Sequence, residues 1–563
     1  MQPLALLDDG SATALRPTSR LYTGYVREHR CTDPRLLDST CAAVEADQHA
    51  GLHAVLLADY EWGVRLQGLA PRHADGGGNE GSGALRVLMF GHCQRLSRDE
   101  ASAWLAAQEG SEHPAGTLGL QASVERAAFT QAIEHIHQAI AAGETYQVNY
   151  TYRLHGAAYG PPLALYRRLR ALQPVAYGAY LVLPPGEQDS TCVAQDVKNR
   201  AENLMIVDLL RNDLGRVAQI GTVRVPELFA VEPYATLFQM TSTVQAQLRP
   251  DVDLATLLRA TFPCGSITGA PKRHTMEIID QLETTPRGLY CGAIGWLEAP
   301  AEGRRLGDLC LSVAIRTLTL QAEDAGQRPL RLGVGAGIVM DSRPGDEFDE
   351  CRLKARFLTA VDPGFELLET VRALPDGDLP HLQRHLARLA ASAAALGFAL
   401  DPDEARLALL DAAQAGRGHT RRLRLALAHN GRLTLTQAPL TPLPEAAVNL
   451  RVARWRLPDS NPLAAHKTSH RAAYDAAVRE QQAVEGGRSS VFLRLDGRWC
   501  TPPVADGALP GVMRSVLLED PAWAATERRL HAADLLRAEQ IVVCNALRGV
   551  LPARLLQPAT IRP

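Results

Sequence analysis

Apolar residues recur along this chain in two rhythms, and each predicts a kind of element. Spacing at three and four residues marks amphipathic helices over Glu125–Ala142, ended at Gly143, and over Leu163–Leu172. Within residues 20–70, LHAVLLADYEWGVRLQGL mixes alternation with a continuous apolar run and predicts one or two strands. RVLMFGHC, GETYQVNYTYRLHG and VAYGAYLVLPPG read as further strands, and HADGGGNEGSGA (His73–Ala84) reads as a flexible loop. DVKNRAENLMIVDLLRNDLGRV (Asp196–Val217) predicts a helix apolar enough to be buried nearly all round, with Gly215 ending it. Further on, FELLETVRALPDGDLPHLQRHLARLAASAAALGF predicts a strand, a turn and a helix with Leu382, Leu386, Leu389 and Ala390 at core spacing. RRLRLALAHNGRLTLTQ predicts a hairpin turned at Asn430-Gly431.

The polar residues inside these elements change the picture. The Asp196–Val217 helix carries Lys198, Glu202, Asp208, Arg211 and Asp213, and buried charges are costly unless paired or holding an ion. A core helix with a salt-bridge network accounts for them as well as a functional site does. A second acidic helix, DEFDECRLKARFL (Asp346–Leu358), places Glu347, Glu350 and Lys354 on one face. Two such helices brought together offer carboxylate oxygens to a hard cation such as Mg2+. Between them, TFPCGSITGAPKRHTMEIID, LSVAIRT and GVGAGIVMDS add glycine turns with exposed amides and the cations Lys272 and Arg316. Cations, amides and Mg2+ together suit a small substrate with more than one carboxylate.

RAENLMIVDLLRND, FPCGSITGAPK, GLYCGAIGW, VAIRT, GAGIV and DEFDECRLKA occur in the order found in the chorismate-utilising enzymes, and residues 20–358 resemble that family, most of all component I of aminodeoxychorismate synthase. The resemblance implies an α/β (α+β) fold with two facing sheets, Mg2+ and chorismate. Carried over residue by residue, it places Glu202, Glu347 and Glu350 at the Mg2+. It places Tyr290, Arg316, Gly335, Gly337 and Lys354 at the substrate, and Thr268 and Gln239 among the catalytic positions; at Gln239 many relatives carry histidine. One departure stands out. Where relatives insert a Ser-Pro-Glu segment, another strand and a loop bearing a nucleophilic lysine, this sequence runs GEQDSTCVAQ straight into Asp196. The sheet around the site is therefore expected to be incomplete, with backbone groups unsatisfied.

Asp362-Pro363-Gly364 punctuates the periodicity and predicts a boundary between domains spanning 1–361 and 362–563. In the second, Lys467 stands in PLAAHKTSHRAAYD, and Arg388, Glu485, Arg514 and Asn545 recur around it in sequence. GRWCTPPVADGALPGVMRSVLL predicts a strand, a turn-rich loop and a helix start whose amides suit a phosphate. Pyridoxal phosphate needs an amine for its aldehyde, a carboxylate for its ring nitrogen and donors for its phosphate. HLxRL, AHKT, EGGRSS, LPGVMR and NALRG resemble the fold-type IV (class IV aminotransferase) pyridoxal-phosphate enzymes, and among them 4-amino-4-deoxychorismate lyase. That resemblance makes Lys467 the Schiff-base lysine and Glu485 the ring-nitrogen partner. Arg388 and the amides near Gly511 and Val512 would hold the phosphate, with Asn545 nearby. QQAVEGGRSS lacks a strand that relatives place before the EG segment.

Composition adds exclusions. A net charge of −3 gives no electrostatic case for nucleic acid or membrane binding. The opening MQPLALLDDGSATALRPTS lacks a basic n-region, no apolar run approaches a membrane span, and the ten scattered cysteines read as reduced cytosolic thiols. Only four of the 59 Lys and Arg residues are lysine (Lys198, Lys272, Lys354 and Lys467), and all four fall inside motifs. Lysine differs from arginine in offering a compact ammonium, or an amine that can deprotonate. No glutaminase is legible in the sequence, so ammonia is expected from a separate amidotransferase subunit or from free ammonium, and a homodimer through the second domain is a further expectation. The expected function is a fused enzyme, transferase and lyase, that converts chorismate to 4-amino-4-deoxychorismate and then to 4-aminobenzoate for folate. An anthranilate synthase-like enzyme, a degraded synthase domain docking a glutaminase, and an aminotransferase activity for the second domain remain open.

Overall fold

The computed structural model describes residues 2–72, 83–185, 189–195, 203–234, 237–443, 447–450, 461–470 and 489–556, with backbone alone at 189, 195, 203–205, 229–234 and 237–241. Contacts divide the chain into two compact units: residues 1–113, 120–322 and 328–361, and residues 114–119, 323–327 and 362–563. Residues 73–82 of the glycine-rich loop lie outside the described residues.

In the first unit one hydrogen-bonded path of strands runs, in order, through Gly269–Ala270, Gln147–Tyr159, Gln327–Ile338, Thr317–Gln321, Asp189–Gln195, Gly178–Val182, Leu4–Asp8, Ser19–Cys31, Leu85–Leu96, His53–Ala58, Ala293–Leu297 and Leu309–Val313. Ala179, Leu181, Cys192 and Ala194 pack in one core cluster with Val55, Leu57, Leu88, Phe90 and Ile294, which belong to strands far along the path. The sheet therefore turns back on itself into two facing layers. Burial of both faces explains why residues 54–58 of the strand His53–Ala58 read as an unbroken apolar run. A separate two-stranded ribbon pairs Arg224–Tyr234 with Leu237–Gln245.

The expected gap in the sheet is absent. Asp189–Gln195 is itself a strand, pairing Gly178 with Gln195 on one side and Leu318 with Val193 on the other. Alternation in DSTCVAQ buries Thr191 and Val193 on one face and Cys192 and Ala194 on the other, so the short segment bridges the sheet and satisfies the backbone of both neighbours.

Two helices differ from expectation. The apolar run after Ala58 does not continue as strand but forms the helix Tyr60–Leu66. Tyr60 and Val64, one turn apart, pack in one core cluster, while Trp62 and Leu66 pack in another. A helix buried on two sides leaves no polar stripe, and its pattern cannot be told from that of a strand. The second case is the helix Asn203–Gly215, whose described side chains, from Ile206 on, are half-exposed rather than buried all round. Asp208 and Arg211 pair on its solvent face at 2.9 Å, whereas Asp213 is buried and meets Lys272 Nζ at 2.7 Å. Arg126–Ala141 and Pro344–Thr359 match their predicted helices, and Phe129 of the first meets Phe348 of the second edge-on at 5.3 Å.

The second unit joins two sheets. Leu367–Ala373, Arg421–Leu427 and Leu433–Pro439 form an antiparallel sheet packed by helices Leu382–Leu396 and Pro402–Ala415. Its hairpin turns at Asn430-Gly431 as predicted, Gly431 taking φ 93° and Asn430 Oδ1 accepting from Arg432 N. Six further strands run in the order Val448–Leu450, Gly549–Leu555, Gln540–Asn545, Ser490–Leu495, Arg498–Thr501 and Thr526–Glu527.

Candidate functional site

Two groups of residues collect the predicted chemistry, one in each unit. The first gathers on the strand Gln327–Ile338. Alternation puts Arg331, Gly333, Gly335 and Gly337 on one face of it. A Cβ at Gly333 would sit 2.1 Å from the Tyr290 ring, and one at Gly335 would sit 2.5 Å from Tyr150 O. Glycine is required so that Tyr290 and the neighbouring strand can close on the backbone. Gly335 O accepts from Lys354 Nζ at 2.9 Å, and the same ammonium pairs with Glu350 at 3.0 Å. Gly337 lies two residues further along.

Glu347 sits one turn before Glu350 on the helix Pro344–Thr359 and accepts from Ser342 Oγ at 2.6 Å. Burial pushes its pKa up, and the charge of Glu350 adds to the rise. Two crowded carboxylates suit a cation between them. Among the described residues, no cluster of three or more His, Cys, Asp or Glu side chains is placed to hold a metal. Glu202, the expected third carboxylate, lies outside the described residues.

Thr268 is fully buried, and its Oγ1 donates to Gly265 O at 3.1 Å. Arg316 takes φ 48°, a left-handed backbone that a side chain of its size rarely adopts, and donates to Gln173 Oε1 at 3.1 Å. Gln239 lies in the strand Leu237–Gln245 opposite Glu232, and its side chain is outside the description.

A buried ionic network that the sequence reading missed lies beneath these residues. Glu283 accepts from Thr151 N at 2.8 Å and from Arg287 Nε at 3.0 Å. Arg287 also donates to Ile267 O and to Asn149 O, each at 2.7 Å. Glu61 accepts from Arg287 N and Gly288 N, two residues before Tyr290. The network thus fixes the backbone just before Thr268 and just before Tyr290. Its partners are far apart in sequence and carry no periodic signal.

In the second unit Lys467 is mounted on the edge of the three-stranded sheet. Lys467 O accepts from Leu368 N at 2.7 Å, and Thr468 bridges Leu367. His466 Nδ1 meets Ser392 Oγ at 3.0 Å, one helical turn beyond Arg388. Arg388 forks onto Glu369 at 2.8 and 2.7 Å, and its Nη1 donates to Pro510 O at 3.2 Å. Pro510 precedes Gly511, which caps the helix Val512–Glu519. A Cβ on Gly511 would lie 2.8 Å from Ser490 Oγ, and Asn545 Nδ2 donates to Ser489 Oγ at 3.0 Å. The structure therefore gathers Lys467 and Arg388 at the sheet edge, and Gly511, Val512 and Asn545 around the start of the Ser490–Leu495 strand. Glu485 lies outside the described residues. An amine, a guanidinium and helix N-terminal amides suit the aldehyde and phosphate of pyridoxal phosphate.

Residues 85–193 and 187–360 match the model of the chorismate binding enzyme family, and residues 366–556 match that of amino-transferase class IV. Aminodeoxychorismate synthase of Streptomyces griseus is 38% identical over 322 residues, covering 47% of this chain and 43% of that protein. Aminodeoxychorismate synthase component 1 of Klebsiella aerogenes is 37% identical over 286 residues, covering 44% of this chain and 61% of that protein. The structure of 4-amino-4-deoxychorismate lyase from Pseudomonas aeruginosa is 26% identical, covering 34% of this chain and 83% of its own, with a TM-score of 0.31. The chain spans about half the length of the curated relatives it matches. It is a chain of two enzyme domains. The first belongs to the chorismate binding enzymes and the second to the class IV aminotransferases. All ten cysteines are free thiols, and among the described residues no helix is long and apolar enough to cross a membrane.

Glu369 yields a prediction. It is buried between His385 Nδ1 at 2.6 Å and Arg388. Burial acts to raise its pKa, but the His385 hydrogen bond and the Arg388 charge outweigh this and hold it below the usual carboxylate range. The folded state then binds fewer protons than the unfolded one. The stabilisation is fully present above the ordinary glutamate pKa of about 4.3 and is lost as pH falls through the depressed value. Glu369→Gln is expected to cost about 3–5 kcal/mol at neutral pH by stranding the buried cation. It should also flatten the fall of the thermal midpoint on acidification from pH 6 to pH 3. Wild-type and variant midpoints falling in parallel would refute it.

Proposed function

We propose that this chain makes 4-aminobenzoate in two steps: amination of chorismate to 4-amino-4-deoxychorismate, then elimination of pyruvate. One observation carries the reading, the joining of a chorismate binding enzyme domain to a class IV aminotransferase domain in a chain alike to aminodeoxychorismate synthases. Anthranilate formation has no use for pyridoxal phosphate, which weighs against that alternative. Ammonia comes from a separate glutamine amidotransferase subunit. The domains divide at 361/362, the second also forms a homodimer, and the chain works in the cytoplasm.

In the first domain Glu202, Glu347 and Glu350 hold Mg2+, which supplies a positive charge for a substrate carboxylate. Arg316 and Lys354 bind the substrate's anionic groups, Tyr290 walls the site, and the Gly335–Gly337 backbone lets the substrate approach closely. Thr268 and Gln239 handle hydrogen bonds at the reacting ring. In the second domain pyridoxal phosphate supplies an electron sink when bound. Lys467 holds it and moves protons, Glu485 pairs with its ring nitrogen, and Arg388 with the Gly511 and Val512 amides and Asn545 orients its phosphate end.

The two halves differ in competence. The segment that carries a nucleophilic lysine in relatives is missing, and arginine cannot replace it because its guanidinium stays protonated. Lys272 is engaged by Asp213 at 2.7 Å and Lys354 by Glu350 at 3.0 Å, so neither stands ready to attack. The first half is therefore read as a chorismate binder that aminates poorly, and the second as a working lyase.

Three outcomes check this reading. Replacing Glu202 or Glu350 by Gln should weaken chorismate binding in the presence of Mg2+ at least tenfold, about 1.4 kcal/mol, by calorimetry. Affinity equal to wild type and indifferent to Mg2+ would remove the metal assignment. Borohydride treatment of the protein loaded with pyridoxal phosphate should leave an adduct on Lys467 by peptide mass, absent from Lys467→Ala. An adduct on Lys198, Lys272 or Lys354 would overturn the second-domain reading. Purified 4-amino-4-deoxychorismate should yield 4-aminobenzoate and pyruvate, whereas chorismate with ammonium should yield little of either. Rapid 4-aminobenzoate formation from chorismate would show the missing lysine to be dispensable.

A further inference from the structure

The first unit holds a cavity of about 300 Å3 at the end of the Gln327–Ile338 strand opposite to Gly335 and Gly337. One face of three adjacent strands builds its wall. Alternation sets Arg153 and His155 on that face of Gln147–Tyr159, and Arg331 on that of Gln327–Ile338. Thr319 and Gln321 come from Thr317–Gln321, with Thr319 directly opposite Arg331 in the ladder, and Thr285 joins from the loop above. The described lining carries two guanidiniums, an imidazole, hydroxyls and a carboxamide, and no carboxylate.

Arg153 is the anchor of this wall. It is 2% exposed, and it donates through Nε to Pro286 O at 3.1 Å and through Nη1 to Thr151 Oγ1 at 3.0 Å and Tyr152 O at 3.1 Å. Its Nη2 is buried with no hydrogen-bond partner among the described residues, and lies 3.8 Å from Glu283 Oε2. Glu283 is already held by Arg287 at 2.6 Å, and the buried Glu61, bound to the Arg287 and Gly288 amides, lends Arg153 its charge but no hydrogen bond. A buried guanidinium N–H without an acceptor is costly, and an oxygen of an anion supplied from solution offsets that cost.

We propose that this cavity binds a small dianion, a phosphate or a short dicarboxylate, held by Arg153, His155 and Arg331 with hydroxyl donors from Thr285 and Thr319. Planar guanidiniums suit the paired oxygens of either group. The site is distinct from the chorismate residues, since Arg331 and Gly335 are four residues apart along one strand, roughly 13 Å. It is also coupled to them, because the Arg153 guanidinium lies 5.1 Å from the Tyr290 ring centroid and that ring covers Gly333. The coupling rests on the reading of Tyr290 as a chorismate residue; the anion site does not. Linkage then requires anion and chorismate to change each other's affinity by the same factor.

The test is calorimetric titration of the full chain, saturated with pyridoxal phosphate so that its phosphate pocket is filled, with inorganic phosphate and separately with malonate. Saturable binding of at least one is expected, and which one binds names the source. Affinity should fall at least tenfold in Arg331→Gln and in His155→Gln, and hold in Lys354→Gln. His155→Gln decides the matter should Arg331→Gln not fold. No saturable binding in wild type, or binding lost in Lys354→Gln and kept in His155→Gln, would overturn the proposal. Anion binding that survives in a protein unable to bind chorismate would separate this site from the reading of the first domain.

Discussion

The first unit depends on a single buried carboxylate. Glu283 is taken out of water and held by a backbone amide, a hydroxyl and two guanidinium contacts. Such a group is tolerable only when every oxygen is answered, and removing any one partner exposes the whole desolvation cost of the rest. Through Arg287 the requirement spreads to Ile267 O, beside Thr268, and to Asn149 O. Through the peptide groups of Arg287 and Gly288 it reaches Glu61 on the helix Tyr60–Leu66. Loop, strand and helix are thereby fixed relative to one another by hydrogen-bond geometry, which is directional where apolar packing is not.

Much of the architecture was legible in the sequence because periodicity reports burial. Arg126–Ala141 and Leu382–Leu396 each turn one apolar face to the core, and Asn430-Gly431 has the conformational freedom that a tight hairpin needs. Reading failed where burial was two-sided or shared. Tyr60–Leu66 lacks a polar stripe, and the charges of Asn203–Gly215 look like interior charges until their solvent face is known. The sheet around Asp189–Gln195 reads as incomplete, although the alternation of that segment is that of a strand with both faces covered. Of the candidate site, the residues in short motifs could be named from the sequence. Glu283, Arg287, Glu61 and Glu369 could not, since nothing local marks a carboxylate whose partner lies in another element.

The division between lysine and arginine follows the same physics. Arg153, Arg287 and Arg388 occupy places that need several donors in a fixed plane and a charge that survives burial. Lys272 and Lys354 instead put one compact ammonium against a single carboxylate, Asp213 and Glu350 respectively. Lys467 is carried by a segment whose backbone is hydrogen-bonded to the sheet edge at Leu368. That anchorage limits the positions its amine can sample.

Gly333 and Tyr290 have a consequence for how this sequence can change. The ring occupies the volume that any side chain at 333 would need, since a Cβ there would stand 2.1 Å from it. The two positions are therefore not independent. A methyl group gained at 333 while the ring is present forces the ring or the strand aside, whereas the same methyl gained after the ring has become smaller fills the space left behind. The order of the two substitutions therefore sets how strained the intermediate is, through a clash in one order and a cavity in the other.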